Sequence, residues 1–172
     1  MIVVMGVDPG VASTGFGVVR MAGGRMSVVD GGVIEVPPGE PIEVRLAEIH
    51  RELAELLTWH EPAALALEDV YFGKNVRSAI GVGQARGVAL LAAAQRDISC
   101  FDYTPQAVKM AVCGNGAANK AQVQRMVASL LGLPKPPEPD HAADALAVAM
   151  CHAARARPEH PAASQMTGAS TA

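Results

Sequence analysis

Aromatic side chains are scarce in this chain, with one Trp, two Tyr and three Phe among 172 residues. A core short of rings must be filled by aliphatic and small side chains. Half the sequence is hydrophobic and much of that is alanine, which points to closely packed helices. Long apolar stretches are missing as well. No run reaches the roughly 18 residues that a membrane-spanning helix needs, so no membrane partner is expected. The opening "MIVVMGVDPG" has neither a basic lead-in nor a cleavage site, which argues against a secretory signal. Cysteine is limited to Cys100, Cys113 and Cys151, an odd number without C-x-x-C spacing. Three reduced thiols in a cytoplasmic protein are the expectation. Positive charge is not in excess either, since the net charge is −3. Composition therefore announces no nucleic-acid ligand; binding one would require basic residues gathered on one face and acids elsewhere. Also absent are a Walker-type phosphate loop, a G-x-S-x-G elbow, zinc-ligand spacing and any internal repeat.

What is present reads as one mixed α/β domain over residues 1–157. "IVVMGVD" is a short buried strand ending in an acid. "GFGVVRM" and "MSVVDGGVIEV" are two more strands, and "AGG" between them supplies hairpin turn residues. "PIEVRLAEIHRELAELLTWH" carries Ile42, Leu46, Ile49, Leu53 and Leu56/Leu57 at helical spacing, with Pro41 and Pro62 as punctuation. "AALALEDV" is a fourth strand, again with acids at its end. "NVRSAIGVGQARGVALLAAAQR" is a long helix whose Gly81, Gly83 and Gly87 predict tight approach to a neighbour. "DISCFDY" is a fifth strand, "TPQAVKMAVCG" and "NKAQVQRMVASLLGL" are helices, and a last helix runs from near Asp140 to about Arg157. The tail 158–172, small, polar and proline-containing, is expected to be disordered. The order β-β-β-α-β-α-β-α-α-α predicts a five-stranded mixed sheet, an antiparallel meander followed by parallel strands, flanked by helices.

Acids fall where chemistry gathers in such folds. Asp8 ends the first strand and Glu68 the fourth, and ligands of α/β sheets collect at strand ends. From Ala142 to Cys151 the only polar side chain is Asp144. A lone carboxylate on an apolar helix costs several kcal/mol to bury unpaired, so Asp144 needs a cation, a partner or water. An ion pair or a favourable charge at the helix start would satisfy it. So would a metal. Asp8, Glu68, Asp144 and His141 brought together would repel one another without metal. Two divalent ions would neutralise them and suit hydrolysis of a phosphodiester.

Four segments carry a resemblance. "GVDPGVASTGFGVV", "LALEDVYFGKNVRSAIGVGQARGVALLAA", "TPQAVKMAVCGNGAANKAQVQRMV" and "DHAADALAVA" resemble, in order and spacing, the bacterial RuvC family of Holliday-junction resolvases. The resemblance implies a ribonuclease-H-like fold, a homodimer, and paired symmetric nicking of four-way DNA junctions with two Mg²⁺ or Mn²⁺ ions per site. It also implies partnership with a branch-migration complex of a junction-recognition protein and its hexameric helicase. Carried over, the metal ligands fall on Asp8, Glu68, His141 and Asp144, and lysines near the scissile phosphate on Lys109 and Lys120. Tyr71, with Phe72 beside it, matches an aromatic residue near the strand-exchange point, where a ring can stack on an unpaired base. Lys74 and Arg77 match backbone phosphate contacts. The small-residue helix "SAIGVGQARGVALLAAA" matches a dimer-forming region. Some members carry aspartate where this chain has His141. Nitrogen ligands suit later transition ions better than magnesium, so the histidine implies a stronger relative preference for Mn²⁺. Asp140 falls outside the family pattern, and after Pro139 it reads as a helix cap.

Three other readings share some of these features. "DPGVASTGFG" also looks like the first phosphate loop of the actin and sugar-kinase fold, although that fold needs a second domain and a second loop. A junction-binding module without catalysis would have no use for the full acidic cluster. A relative cutting RNA–DNA hybrids would use the same metal site.

Overall fold

The computed structural model describes residues 1–37, 39–69 and 76–156. Strands β1 (Ile2–Asp8), β2 (Ser13–Ala22) and β3 (Arg25–Glu35) form the antiparallel meander. The β2–β3 turn is Gly23–Gly24, both at positive φ, the conformation that a two-residue hairpin requires. Helix α1 (Ile42–His60) leads to β4 (Ala64–Glu68), α2 (Val76–Ala94) to β5 (Ser99–Tyr103), and then α3 (Pro105–Cys113), α4 (Lys120–Leu131) and α5 (Asp140–Arg155) follow. The sheet order is β3-β2-β1-β4-β5, with β4 parallel to both β1 and β5. The expected element order and mixed sheet are therefore borne out. The predicted tail lies outside the described residues.

Alternation along the strands sorts the core into two layers. Met5, Val7, Leu65 and Leu67 meet Ile49, Leu53 and Leu57 of α1 and the alanines of α2. Val4, Val19 and Ala66 meet α5 and, beyond it, α3 and α4. Helix α5 lies down on a glycine track. A Cβ on Gly6 would stand 2.0 Å from the Ala145 carbonyl oxygen, and one on Gly17 would stand 2.7 Å from Leu146. Gly6 and Gly17 are cross-strand partners, so the track runs across β1 and β2. Alanines at 142, 143, 145, 147 and 149, all buried, complete the close approach.

The glycines of α2 do something else. A Cβ on Gly81 would touch Val11 at 3.2 Å, but nothing lies within 4 Å of Gly83 or Gly87. The expected tight approach holds for Gly81 alone. Gly83 and Gly87 instead open the outer face of α2 between exposed Ile80 and Leu91.

Candidate active site

Strand parity decides which way two acids face. Gly6 touches α5, so Asp8, two residues on, falls on the α5 side. Ala66 packs in the α5 layer, so Glu68 does too. Because β1 and β4 are parallel neighbours, their C-terminal ends bring the two carboxylates side by side. The loop after Asp8 is tied by the buried Thr14, whose hydroxyl donates to the Gly10 carbonyl at 2.8 Å.

The third acid arrives by helix seating. Gly15 is the cross-strand partner of Asp8, and a Cβ there would stand 2.1 Å from the His141 carbonyl oxygen. The first turn of α5 therefore rests on Gly15, beside Asp8. His141 Nδ1 lies 2.6 Å from Asp8 Oδ2. Asp144, three residues on and on the same helix face, lies 3.1 Å from the Lys120 ammonium.

Burial raises the Asp8 carboxyl above its ordinary value; the hydrogen bond and charge of His141 pull it down, and the Asp144 charge adds to the rise. Burial also raises Glu68, and the charges of Asp8 and Asp144 push it further, against Lys109 and Lys120. The three carboxylates thus sense one another. Among the described residues, no three His, Cys, Asp or Glu side chains stand close enough to form a ready-made ligand cage. Side chains of the protein occupy the neighbourhood instead, with His141 against Asp8 and Lys120 against Asp144.

Lys109 and Lys120 complete a cleft of about 260 Å³ with Glu68 and Asp144, floored by apolar residues of α3, α4 and α5. Thr104 caps α3 by accepting from the Ala107 N–H at 3.2 Å, which fixes the start of the helix carrying Lys109. Asn119 and Gln122 form a reciprocal capping box at the start of α4, where Lys120 is the first helical residue. A larger depression of about 710 Å³, lined by Trp59 and Arg96 among others, opens near the starts of β4 and β5. The titratable groups converge at the opposite, C-terminal ends of these strands.

Six of the expected residues, Asp8, Glu68, His141, Asp144, Lys109 and Lys120, therefore share one end of the sheet. Tyr71, Phe72 and Lys74 lie outside the described residues, as does the side chain of Arg77. Asp140 corrects the expectation of a cap. Pro139 holds the cap position and no side chain caps this helix. The Asp140 oxygens go to α4 instead, to Gln124 at 2.8 Å and Lys120 at 3.1 Å. One ordinary rule separates these roles: a capping residue precedes the helix, whereas Asp140 is already inside it.

Sequence reasoning missed Arg86. Its Nη1 donates to the Glu68 carbonyl oxygen at 3.2 Å and its Nη2 pairs with Asp102. A largely buried guanidinium thus clamps the end of β4 to β5 from below. The available signal was one arginine amid the small residues of "GQARGVALLAAA".

Both signs of charge occur on each side of the sheet: Lys120 pairs with Asp140 and Asp144, Lys135 with Glu138, and Arg51 with the glutamates of α1. Lys109, Lys120, Arg125 and Lys135 come from the α3–α5 side, while α1 carries Glu43, Glu48, Glu52 and Glu55.

Comparison with known proteins bears on all of this. The family model "Crossover junction endodeoxyribonuclease RuvC" matches residues 4–152. The crossover junction endodeoxyribonuclease RuvC of Pelotomaculum thermopropionicum is 53% identical over 150 residues, spanning 87% of this chain and 92% of the relative. That of Chloroflexus aggregans is 50% identical over 149 residues, spanning 87% and 91%. Among solved structures, Thermus thermophilus RuvC in complex with Holliday junction substrate superposes with a TM-score of 0.86 at 38% identity, covering 90% of this chain and 94% of that one. The yeast mitochondrial Holliday junction resolvase Ydc2, only 11% identical, shares the fold at a TM-score of 0.63 over 88% of this chain and 78% of its own. Matched along nearly its whole described length in sequence and in fold, the chain belongs to the RuvC family of crossover junction endodeoxyribonucleases.

Proposed function

We infer that this protein resolves four-way (Holliday) DNA junctions, nicking two opposed strands symmetrically by metal-assisted hydrolysis. One observation carries the reading: Glu68 of β4 and Asp144 of α5 meet two lysines in a cleft, with the charge of Asp8 from β1 acting on Glu68, within a chain of the RuvC family. The Thermus relative is described in complex with a Holliday junction substrate, which supports the same substrate here. Membership of this family displaces the sugar-kinase reading.

The donor set fits divalent metal. Asp8, Glu68 and Asp144 offer hard carboxylate oxygens, His141 adds a nitrogen, and burial with mutual repulsion raises two of the acids. A bound cation would reverse that repulsion. Those four residues would hold Mg²⁺ or Mn²⁺, two ions per site, supplying an activated water and charge stabilisation at the leaving oxygen. The rest belongs to the chain itself. Arg86 fixes the backbone beneath Glu68, Gly15 sets His141 against Asp8, and Lys109 and Lys120 present cations where phosphate charge develops.

Two symmetric cuts call for two sites related by a two-fold axis. The open face of α2, with Ile80, Gly83, Gly87 and Leu91, offers such a dimer a small-residue seam. Tyr71, Lys74 and Arg77 complete the proposed DNA contacts, and a branch-migration complex is the proposed partner in the cell. No helix among the described residues is long and apolar enough to cross a membrane; a cytoplasmic setting and a single nuclease domain over 1–157 complete the reading.

The test compares cleavage of a four-way junction, a linear duplex and an RNA–DNA hybrid with Mn²⁺, mapping nicks on opposing strands. Paired symmetric nicks in the junction are expected. Preference for the hybrid would overturn the reading. Asp8→Asn should retain junction binding and lose cleavage by about a thousand-fold or more; cleavage that survives in a clean preparation refutes the assignment of Asp8.

A further inference from the structure

Asp140 falls outside the family pattern, yet both of its oxygens are engaged. Oδ1 accepts a hydrogen bond from Gln124 Nε2 at 2.8 Å, and Oδ2 lies 3.1 Å from the Lys120 ammonium. Lys120 and Gln124 stand four residues apart on α4, on one face of that helix, and both aim at this carboxylate. The same ammonium lies 3.1 Å from Asp144 Oδ2. The base of Lys120 is fixed by the capping box of Asn119 and Gln122. Its tip is not, because a half-exposed ammonium on a four-carbon stem roams unless its head is held.

We propose that Asp140 is a positioning residue, a tether braced by Gln124 that keeps the Lys120 ammonium at the mouth of the cleft. The proposal rests on reading Asp144 as a metal ligand and Lys120 as the cation facing the scissile phosphate. With Asp144 as its only partner, Lys120 loses its anchor whenever a cation claims that carboxylate. The second carboxylate separates the two duties: Asp144 is released for metal while Asp140 retains the lysine. Gln124 explains the geometry, since occupying Oδ1 leaves Oδ2 turned to Lys120.

The experiment uses full-length protein carrying Asp140→Asn, Lys120→Ala, or both. With junction DNA and Mn²⁺, Asp140→Asn is expected to lower kcat about two- to five-fold, the range of one exposed charge pair. KM for the junction should not rise, because a negative charge facing DNA has gone. In the Lys120→Ala background the same substitution should change kcat by less than about two-fold. An activity-free readout is the rate of reductive methylation of Lys120 in Mn²⁺ without DNA, where Asp144 is engaged by metal, followed by mass spectrometry; it should increase in Asp140→Asn. Equal loss of kcat in both backgrounds would mean that Asp140 acts on the helix or the fold, and overturns the proposal. Unchanged methylation overturns it too. A Lys120→Ala protein cleaving at the native rate overturns the reading of Lys120 and the proposal with it. A slow Lys120→Ala protein beside a native-rate Asp140→Asn protein overturns the proposal alone.

Discussion

The two faces of the sheet are packed by opposite means. On the α1/α2 face, Leu53, Leu57, Leu65 and Leu67 fill the space between helix and sheet with large side chains. On the α5 face the space is nearly abolished, because glycines in β1 and β2 meet the backbone of an alanine-rich helix. Large side chains adjust when a neighbour changes; a backbone resting on a backbone does not. The face without slack is also the one that carries Asp8, His141, Asp144 and Glu68. A constellation of carboxylates and metal must hold its geometry within about half an ångström, and glycine seating delivers that without any side chain to repack.

The sharpest way to break this contrast is a pair of identical substitutions. Gly6→Ala places a methyl 2.0 Å from a carbonyl of α5 and should cost roughly 3 kcal/mol or more, from overpacking that cannot relax. Gly87→Ala meets nothing within 4 Å, sits mid-helix, and should stabilise the monomer by about 0.5–1 kcal/mol. Urea unfolding of both decides it, and similar midpoints for the two would refute the glycine-track account.

A smaller effect is expected at the far end of α5. Tyr103 and His152 Nδ1 share a buried hydrogen bond of 2.8 Å. Tyr103→Phe leaves a buried nitrogen unpaired, a loss of about 1–3 kcal/mol, visible in the same titration and without effect on the chemistry of the cleft.

The active end should behave in the reverse sense. Glu68 is held above its ordinary value by burial and by Asp8 and Asp144. Its contribution to stability is therefore fully present below its unfolded value near 4.5 and lost as pH rises through the folded value. Glu68→Gln should be more stable than the native chain in chelator at pH 7.5, by a margin that shrinks towards pH 5, while cleavage is lost. Thermal midpoints at the two pH values measure this, and a margin that grows on acidification contradicts it.

The subtlest contrast concerns His141. His141→Asp should shift the Mn²⁺/Mg²⁺ activity ratio towards magnesium, since carboxylate oxygen suits the harder ion. Equal ratios in the two proteins would sink that idea.

The unbroken apolar runs "IVVMGVD" and "ALALE", each closed by an acid, made the strands legible, and the two-residue alternation of a strand carries Asp8 and Glu68 to one face. The acids themselves were legible because they interrupt apolar runs. Other features depended on tertiary contact. Nothing local tells that Gly15 seats His141 while Gly83 faces open space, because a glycine has the same pattern in either setting. Asp140 follows a proline as a cap would, and only the approach of α4 reveals that its oxygens are taken by Lys120 and Gln124. Arg86 sits in a helix whose inner face is known only once β4 and β5 are placed.

The contact between His141 and Asp8 joins residues 133 apart in sequence. At a synthesis rate of about 5–20 residues per second, roughly 7–27 seconds separate the appearance of one partner from the other. A ribosome-bound or prematurely terminated chain lacking α5 holds two of the four proposed ligands and only the glycine seat on which the other two would rest. Such a fragment should show no junction cleavage, because two of the proposed ligands are missing. The proposed metal site is thus completed only once α5 has been made.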